Sequence, residues 1–163
     1  MKIFLFILTT LSLVLAKAQE VKIFHFKLEG EINTVTSRYT SLALAQAKAD
    51  SSDIILMEMN TFGGVVFDAE QIVDEILDTK IPVWVYVNKN AGSAGSFISV
   101  ACDSIYMANG AFIGASSVMN EKGEILPEKI QSAMRSKFRT VAEATNKDPD
   151  LCELFVGRDL YTD

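Results

Sequence analysis

A serine set among small residues is the first candidate for chemistry in this sequence. Ser93 lies in the run NAGSAGS (residues 90–96), which follows the apolar run IPVWVYV (residues 81–87). This order predicts a buried strand, a tight turn and a helix. At such a turn a serine hydroxyl can act as a nucleophile, and the next backbone N–H, that of Ala94, can face an oxyanion. Small residues at a strand–helix junction also serve tight packing alone, so the turn by itself leaves both interpretations open.

A second glycine-rich turn follows the preceding apolar run. The stretch NTFGG (residues 60–64) comes directly after IILMEM (residues 54–59). Paired glycines can aim a backbone N–H at a substrate with no side chain in the way. We therefore predict that Gly63, Gly64 and Ala94 supply the N–H groups of an oxyanion hole. A plain tight turn is the alternative for this stretch.

The base that would activate the serine is harder to find. His25 is the only histidine and lies on a predicted first strand, where a structural or exposed role is favoured. A lysine can replace histidine if burial keeps it neutral. The apolar residues of a predicted long helix define one face: Ile130, Met134 and Val141. At ~100° per residue Lys137 falls within that face and Arg139 falls opposite. Lys137 is thus either a base or a lysine whose stem covers apolar surface.

Strand patterns and helix patterns alternate along the chain. Predicted strands cover residues 21–28, 54–59, 81–87 and 104–107, with a short extended piece at 111–114. Predicted helices cover residues 36–49, 65–77, 97–101, 127–145 and 150–156. Repeated β–α units predict an α/β fold with a mostly parallel sheet and helices on both faces. Both glycine turns follow strands, and sites in such sheets form at the carboxyl ends of strands.

Composition and charge narrow the function classes. The chain has 163 residues, of which 49% are hydrophobic, and a net charge of −6. That charge argues against nucleic-acid binding and against electrostatic docking on anionic lipid. The sequence has no cluster of cysteine and histidine, so we predict no metal site, and no cofactor is predicted. Cys102 and Cys152 lie in apolar segments, which favours two buried free thiols over a disulfide.

The first residues have the pattern of a targeting segment. Lys2 precedes an apolar run at residues 3–15, and AKA (residues 16–18) has the small-x-small pattern of a cleavage site. We predict a signal peptide at residues 1–18, with an uncleaved anchor as the alternative. The predicted location is therefore exported, periplasmic or extracytoplasmic, with membrane association if the segment stays as an uncleaved anchor.

Three motifs together resemble one family. They are NTFGG (residues 60–64), AGSAG (91–95) and IYMANGAFIGA (105–115), with AEA (142–144) as a further match. The chain resembles the ClpP-like serine proteases of the NfeD type, which are membrane-associated and partnered with stomatin-like proteins. It is more distantly similar to the wider Clp/crotonase superfamily. The family usually has proline where this sequence has Phe62.

The resemblance implies a fold, a reaction and partners. It implies a ClpP/crotonase-like domain at residues 19–163, truncated at its C-terminal end, and a homo-oligomer. It also implies a serine endopeptidase with a Ser–Lys dyad, acting on peptide bonds of apolar or membrane-associated substrates. Ser93 would be the nucleophile. An ungapped comparison puts the family's lysine on Arg139, which stays protonated and cannot be a base. Either Lys137 takes the role, or the dyad is broken.

Two other functions stay open from the sequence. A chain with a broken dyad would be a catalytically inactive scaffold of the ClpP fold that binds a stomatin-like membrane partner. An acyl-CoA enzyme of the crotonase type shares the paired oxyanion donors. The predicted export signal argues against that enzyme class, because acyl-CoA chemistry is intracellular.

Overall fold

The structure is a computed structural model that describes residues 20–120 and 122–157. The predicted signal peptide lies outside the described residues, as do both ends of the predicted domain, so these boundaries stay predictions. The strands are β1 (Ile23–Glu29), β2 (Ile54–Thr61), β3 (Val83–Gly92), β4 (Ser104–Met107) and β5 (Phe112–Gly114). The helices are α1 (Thr34–Ala49), α2 (Val66–Asp78), α3 (Ala94–Ala101), α4 (Glu128–Ala144) and α5 (Pro149–Glu153).

All strand pairs of the sheet are parallel. The order is β1-β2-β3-β4, and β5 pairs with the far end of β3. From β1 to β4, neighbouring strands follow one another in the sequence, and a crossover through a helix joins each strand to the next. A parallel sheet flanked by helices is thus confirmed.

The helices lie on one face of this sheet, which corrects the expectation of helices on both faces. Tyr39 of α1 packs edge-on against Phe26 of β1, with ring centroids 6.0 Å apart. Ser99 of α3 donates to the Met59 sulfur on β2 at 3.4 Å. Phe26 is in register with Met57, so it shares a face with Met59 two residues further along β2. Helix α2 lies between α1 and α3 and contacts both. Right-handed crossovers that always step to the next strand keep every helix on the same side.

A shift in register gives β3 its special shape. Met59 of β2 lies opposite Val87 of β3, but Thr61 lies opposite Ala91, so β3 contains two extra residues over this interval. Such a bulge bends a strand and increases its twist. Beyond the bulge β3 leaves β4 and pairs with β5, with Gly92 opposite Gly114. The residue after Gly92 therefore lies where the ends of β2, β3 and β5 meet.

Helix α4 closes the helical layer with aromatic packing. Phe138 is fully buried, with its ring centroid 4.9 Å from that of Phe97 on α3 and 6.0 Å from that of Phe155. These contacts fix the rotation of α4 about its axis. Among residues 20–120 and 122–157, no helix is both long and apolar enough to span a membrane.

Candidate active site

Ser93 occupies the turn between β3 and α3 in a strained backbone conformation. Its φ is 49° and its ψ is −116°, a region that costs a non-glycine residue about 1–3 kcal/mol. Its N–H donates to the Gly114 carbonyl at 2.8 Å. Its carbonyl accepts from the Ser96 hydroxyl at 2.8 Å and from the Ser116 hydroxyl at 3.2 Å. The backbone of the serine is thus held from both sides, while its half-buried side chain caps no N–H group of α3.

The structure brings the two glycine turns into direct contact. A Cβ atom placed on Gly63 would lie 2.6 Å from the Ser93 Cβ and 3.2 Å from the Ala94 nitrogen. A Cβ atom on Gly64 would lie 2.1 Å from the Ile32 carbonyl oxygen, and its φ is +156°. Any side chain at either position would collide with the serine turn or with the backbone after β1. Glycine is therefore required here by close approach as well as by conformation.

Two backbone N–H groups beside Ser93 are free to bind a ligand. Gly64 and Ala94 both line the same cavity as Ser93. Neither N–H has an acceptor among the residues that the structure describes. The third predicted donor, the N–H of Gly63, donates to the Thr61 hydroxyl at 3.0 Å. Of the three predicted oxyanion donors, Gly64 and Ala94 are available and Gly63 is engaged elsewhere.

The cavity at Ser93 has a volume of about 660 Å³ and an apolar floor. The floor is formed by Val66, Ala69, Phe97, Met134 and Phe138. Residues 115–120, which follow β5, also line the cavity, as do Glu31 and Phe62. Among the described residues that line the cavity there is no lysine, arginine or histidine. Within the described residues, the site therefore presents a hydroxyl, two N–H groups and an apolar pocket, without a neighbouring lysine, arginine or histidine.

Lys137 lies outside this cavity. Its ammonium group pairs with the Glu70 carboxylate of α2, in a separate cavity between α2 and α4 that Asp74 and Thr140 also line. The residues of α4 that line the Ser93 cavity are Met134 and Phe138. To reach Ser93, the Lys137 ammonium group would have to leave the Glu70 carboxylate. The geometry thus does not support the predicted role of Lys137.

The apolar residues that predict the buried face of α4 do not all face the core. Ile130 is 41% exposed, whereas Phe138 is fully buried. The buried residues of α4 are Gln131, Met134, Phe138, Val141 and Ala142. Relative to the centre of that stripe, Lys137 lies roughly 90° to one side at 100° per residue. It therefore points along the flank of α4 towards α2 and not into the Ser93 cavity.

Arg139 is also occupied elsewhere. Its guanidinium contacts three carboxylates, those of Glu143, Asp150 and Glu153. Hydrogen bonds to Glu153 and Asp150 raise the pKa of Arg139 above its already high ordinary value. The arginine joins α4 to α5 and takes no part in the cavity.

Three other residues singled out from the sequence lie away from the site. His25 Nε2 lies 3.2 Å from Glu58 Oε2 on the sheet face opposite the helices. Cys102 and Cys152 are buried free thiols, as predicted. Burial raises the pKa of both thiols, so neither is a reactive thiolate. No group of three or more potential metal ligands occurs within the described part of the chain.

Sequence reasoning missed the two hydroxyls that hold the nucleophile turn. Ser96 and Ser116 are both buried, and both donate to the Ser93 carbonyl. The spacing of Ser93 and Ser96 is a usable signal, because a serine three residues into a helix often binds back to the preceding turn. Ser116 lies 23 residues from Ser93 in sequence, and no local pattern indicates that contact.

Comparison with known proteins places this chain in a family. The model of the NfeD1b N-terminal domain matches residues 22–161. The chain belongs to the NfeD1b family. It is 34% identical over 146 residues to membrane protein NfeD1b of Bacillus subtilis, covering 89% of this chain and 33% of that protein. The chain spans about a third of the length of the curated relatives that it matches.

Solved structures agree with the family and the fold. This NfeD1b-family chain is similar to the 1510-N membrane-bound stomatin-specific protease of Pyrococcus horikoshii, solved with a substrate peptide. The TM-score is 0.81 and the identity 27%, covering 87% of this chain and 68% of the other. ClpP1 of Listeria monocytogenes matches with a TM-score of 0.58 and 24% identity, covering 83% of this chain and 80% of the other. The predicted ClpP-like fold and NfeD resemblance are thus confirmed.

Proposed function

We propose that this chain is the peptidase domain of a serine endopeptidase. The observation that carries the proposal is the pair of free N–H groups, on Gly64 and Ala94, that share one cavity with the Ser93 hydroxyl. Preorganised N–H donors that lack a partner in the resting protein are what an acyl-transfer site needs for its oxyanion. The similarity to a named protease supports the same reaction class.

The reaction would proceed by acyl transfer. The Ser93 oxygen attacks the peptide carbonyl carbon while its proton passes to a base, and the carbonyl oxygen becomes an oxyanion held by Gly64 and Ala94. The base then returns the proton to the leaving amine as the peptide C–N bond breaks. Water attacks the resulting ester and restores the serine. The apolar floor of the cavity supports the proposal that apolar peptide segments are the substrate.

An exposed lysine near the cavity, and not Lys137, is the proposed base. Asn120 lines the cavity, and Lys122 follows it by two residues. Lys122 is exposed, so it can reorient at little cost, whereas Lys137 would first have to leave Glu70. Solved forms of the similar protease include one serine-to-alanine variant and one lysine-to-alanine variant, which supports a serine–lysine pair.

Partners and location are proposed from the relatives. The similar protease is described as membrane-bound and stomatin-specific. We extend to this chain a peptide or protein substrate, a stomatin-like membrane protein as partner, membrane association and assembly into a homo-oligomer. The predicted export of the domain is part of the same proposal.

A fluorophosphonate probe, which labels activated serines, tests the proposed nucleophile. Ser93→Ala should abolish both labelling and cleavage of an apolar fluorogenic peptide. Ser117→Ala is the matched control, because Ser117 is half-buried and lines the same cavity. That control should keep both activities. Labelling that survives in Ser93→Ala, or that is lost in Ser117→Ala, contradicts the assignment.

One observation favours a second function. The described lining of the Ser93 cavity contains no basic side chain, which is what a catalytically inactive scaffold would show. In that case the same cavity would bind an apolar segment of a stomatin-like partner without cleaving it. Peptide binding to the cavity with no labelling of Ser93 by the probe would favour the scaffold over the peptidase.

A further inference from the structure

An exposed aromatic ring stands at the mouth of the Ser93 cavity. Phe62 is 82% exposed, although its neighbours Thr61 and Gly63 are buried. Its ring borders the Ser93 cavity and also a second cavity of about 520 Å³ that runs along the Gly63 turn. A large apolar surface held at the junction of two cavities is available to a ligand.

Glu31 lies beside this ring, on the neighbouring segment of chain. Glu29 is in register with Asn60, and Ile32 bridges Gly64, so Glu31 lies across from Phe62 and Gly63. Glu31 is exposed, whereas the side chain of its neighbour Ile32 is fully buried. Like Phe62, Glu31 lines both cavities.

The backbone around Glu31 is fixed in advance of any ligand. The Ile32 N–H donates to the Gly63 carbonyl at 2.9 Å, and the Thr36 hydroxyl donates to the Glu31 carbonyl at 3.1 Å. Thr36 is itself part of the capping box that starts α1. The carboxylate thus extends from an anchored main chain, which lowers the entropy lost when it pairs with a ligand.

The Glu31 carboxylate has no positively charged partner among the described residues. Glu31 is the only side chain with a titratable charge among the described residues lining either cavity. It forms no salt bridge with any residue in 20–120 or 122–157. A carboxylate next to an aromatic face is the combination that binds a cation, because the ring supplies a cation–π contact and apolar cover for an aliphatic stem.

We propose that Glu31 and Phe62 form a subsite for a lysine or arginine side chain of the peptide substrate. The stem of that side chain would lie along the Phe62 ring, and its charged end would pair with the Glu31 carboxylate. This inference rests on the proposed function, since it places the basic residue a short distance along the peptide from the bond at Ser93. The preferred substrate is therefore an apolar peptide that carries one basic residue, and not a uniformly apolar one.

Binding to a Ser93→Ala protein tests the subsite without requiring cleavage. A fluorescent apolar peptide is synthesised with lysine, norleucine or glutamate at each position in turn, and its dissociation constant is measured by anisotropy. At one position the lysine peptide should bind about fivefold more tightly than the uncharged norleucine peptide, and the glutamate peptide more weakly than both. Adding Glu31→Gln should remove the difference between lysine and norleucine, and adding Phe62→Leu should reduce it.

Glu29→Gln is the matched control, because it removes the same charge two residues earlier from a residue that lines neither cavity. It should leave the lysine preference intact. A preference that persists in Glu31→Gln, or that appears at no position, overturns the subsite. A lysine preference in a protein that cleaves nothing leaves the subsite standing and contradicts the peptidase. Cleavage without any lysine preference supports the peptidase and contradicts the subsite.

Discussion

The Ser93 turn and helix α4 face each other across one cavity, but they are built in different ways. The turn is made of main chain: glycines in close contact, two free N–H groups and a carbonyl held by Ser96 and Ser116. Helix α4 contributes only side chains, and those reaching the cavity are the apolar Met134 and Phe138. Two charged residues of α4 are paired with neighbouring helices, Lys137 with α2 and Arg139 with α5.

This difference shows which half of the site tolerates change. Main-chain donors depend on the fold, so they are lost only when the turn itself is disrupted. A base supplied by a side chain can come from any element that reaches the cavity, and its identity can move along the chain without altering the fold. The nucleophile half should therefore be sensitive to single substitutions, and the α4 flank should not.

The largest effect is expected from Gly64→Ala. The added methyl would lie 2.1 Å from the Ile32 carbonyl oxygen, so the turn and the segment after β1 would have to separate. We expect the free energy of unfolding, measured by chemical denaturation, to fall by about 3 kcal/mol or more. Gly110→Ala is the control: Gly110 has φ +77° and nothing within 4 Å of an added Cβ, so only the conformational cost of about 1 kcal/mol remains. Similar losses in both variants would mean that the Gly64 turn is not tightly packed.

An intermediate effect is expected from Ser116→Ala. The change removes one of the two hydroxyls that hold the Ser93 carbonyl and leaves the buried Ser96 hydroxyl with one partner fewer. We expect a loss of about 1–2 kcal/mol in unfolding free energy, together with slower labelling of Ser93 by a fluorophosphonate. Ser116→Thr keeps the hydroxyl and should restore the labelling rate. If labelling is unaffected in Ser116→Ala, the strained conformation of Ser93 does not depend on this hydrogen bond.

The features that follow from local sequence were predictable. The apolar runs of β2 and β3 and the glycines behind them place Ser93, Gly64 and Ala94 at the carboxyl ends of neighbouring strands. The predictions that failed depend on contacts between residues that lie far apart in the sequence or on the exact geometry of a turn. The side of the sheet that the helices cover follows from the order of the strands, and the Thr61 hydroxyl that engages the Gly63 N–H depends on the geometry of the turn. The rotation of α4 is set by Phe138 packing against Phe97, which no count of apolar residues along the helix reveals.

The smallest effect is expected from Lys137→Met, which tests the comparison from the side of α4. Methionine keeps the apolar stem and removes only the partly exposed ion pair with Glu70, so the unfolding free energy should change by about 0–1 kcal/mol. The rate of Ser93 labelling should stay within about twofold, equivalent to less than 0.5 kcal/mol in activation free energy. Lys122→Met is the companion variant, and it should slow labelling strongly because it removes the base. Strong slowing in Lys137→Met instead would show that α4 rotates to bring Lys137 to Ser93, and that the Glu70 pair belongs to a resting form. Because both changes replace lysine with methionine, any difference between them reports position and not the loss of one charge.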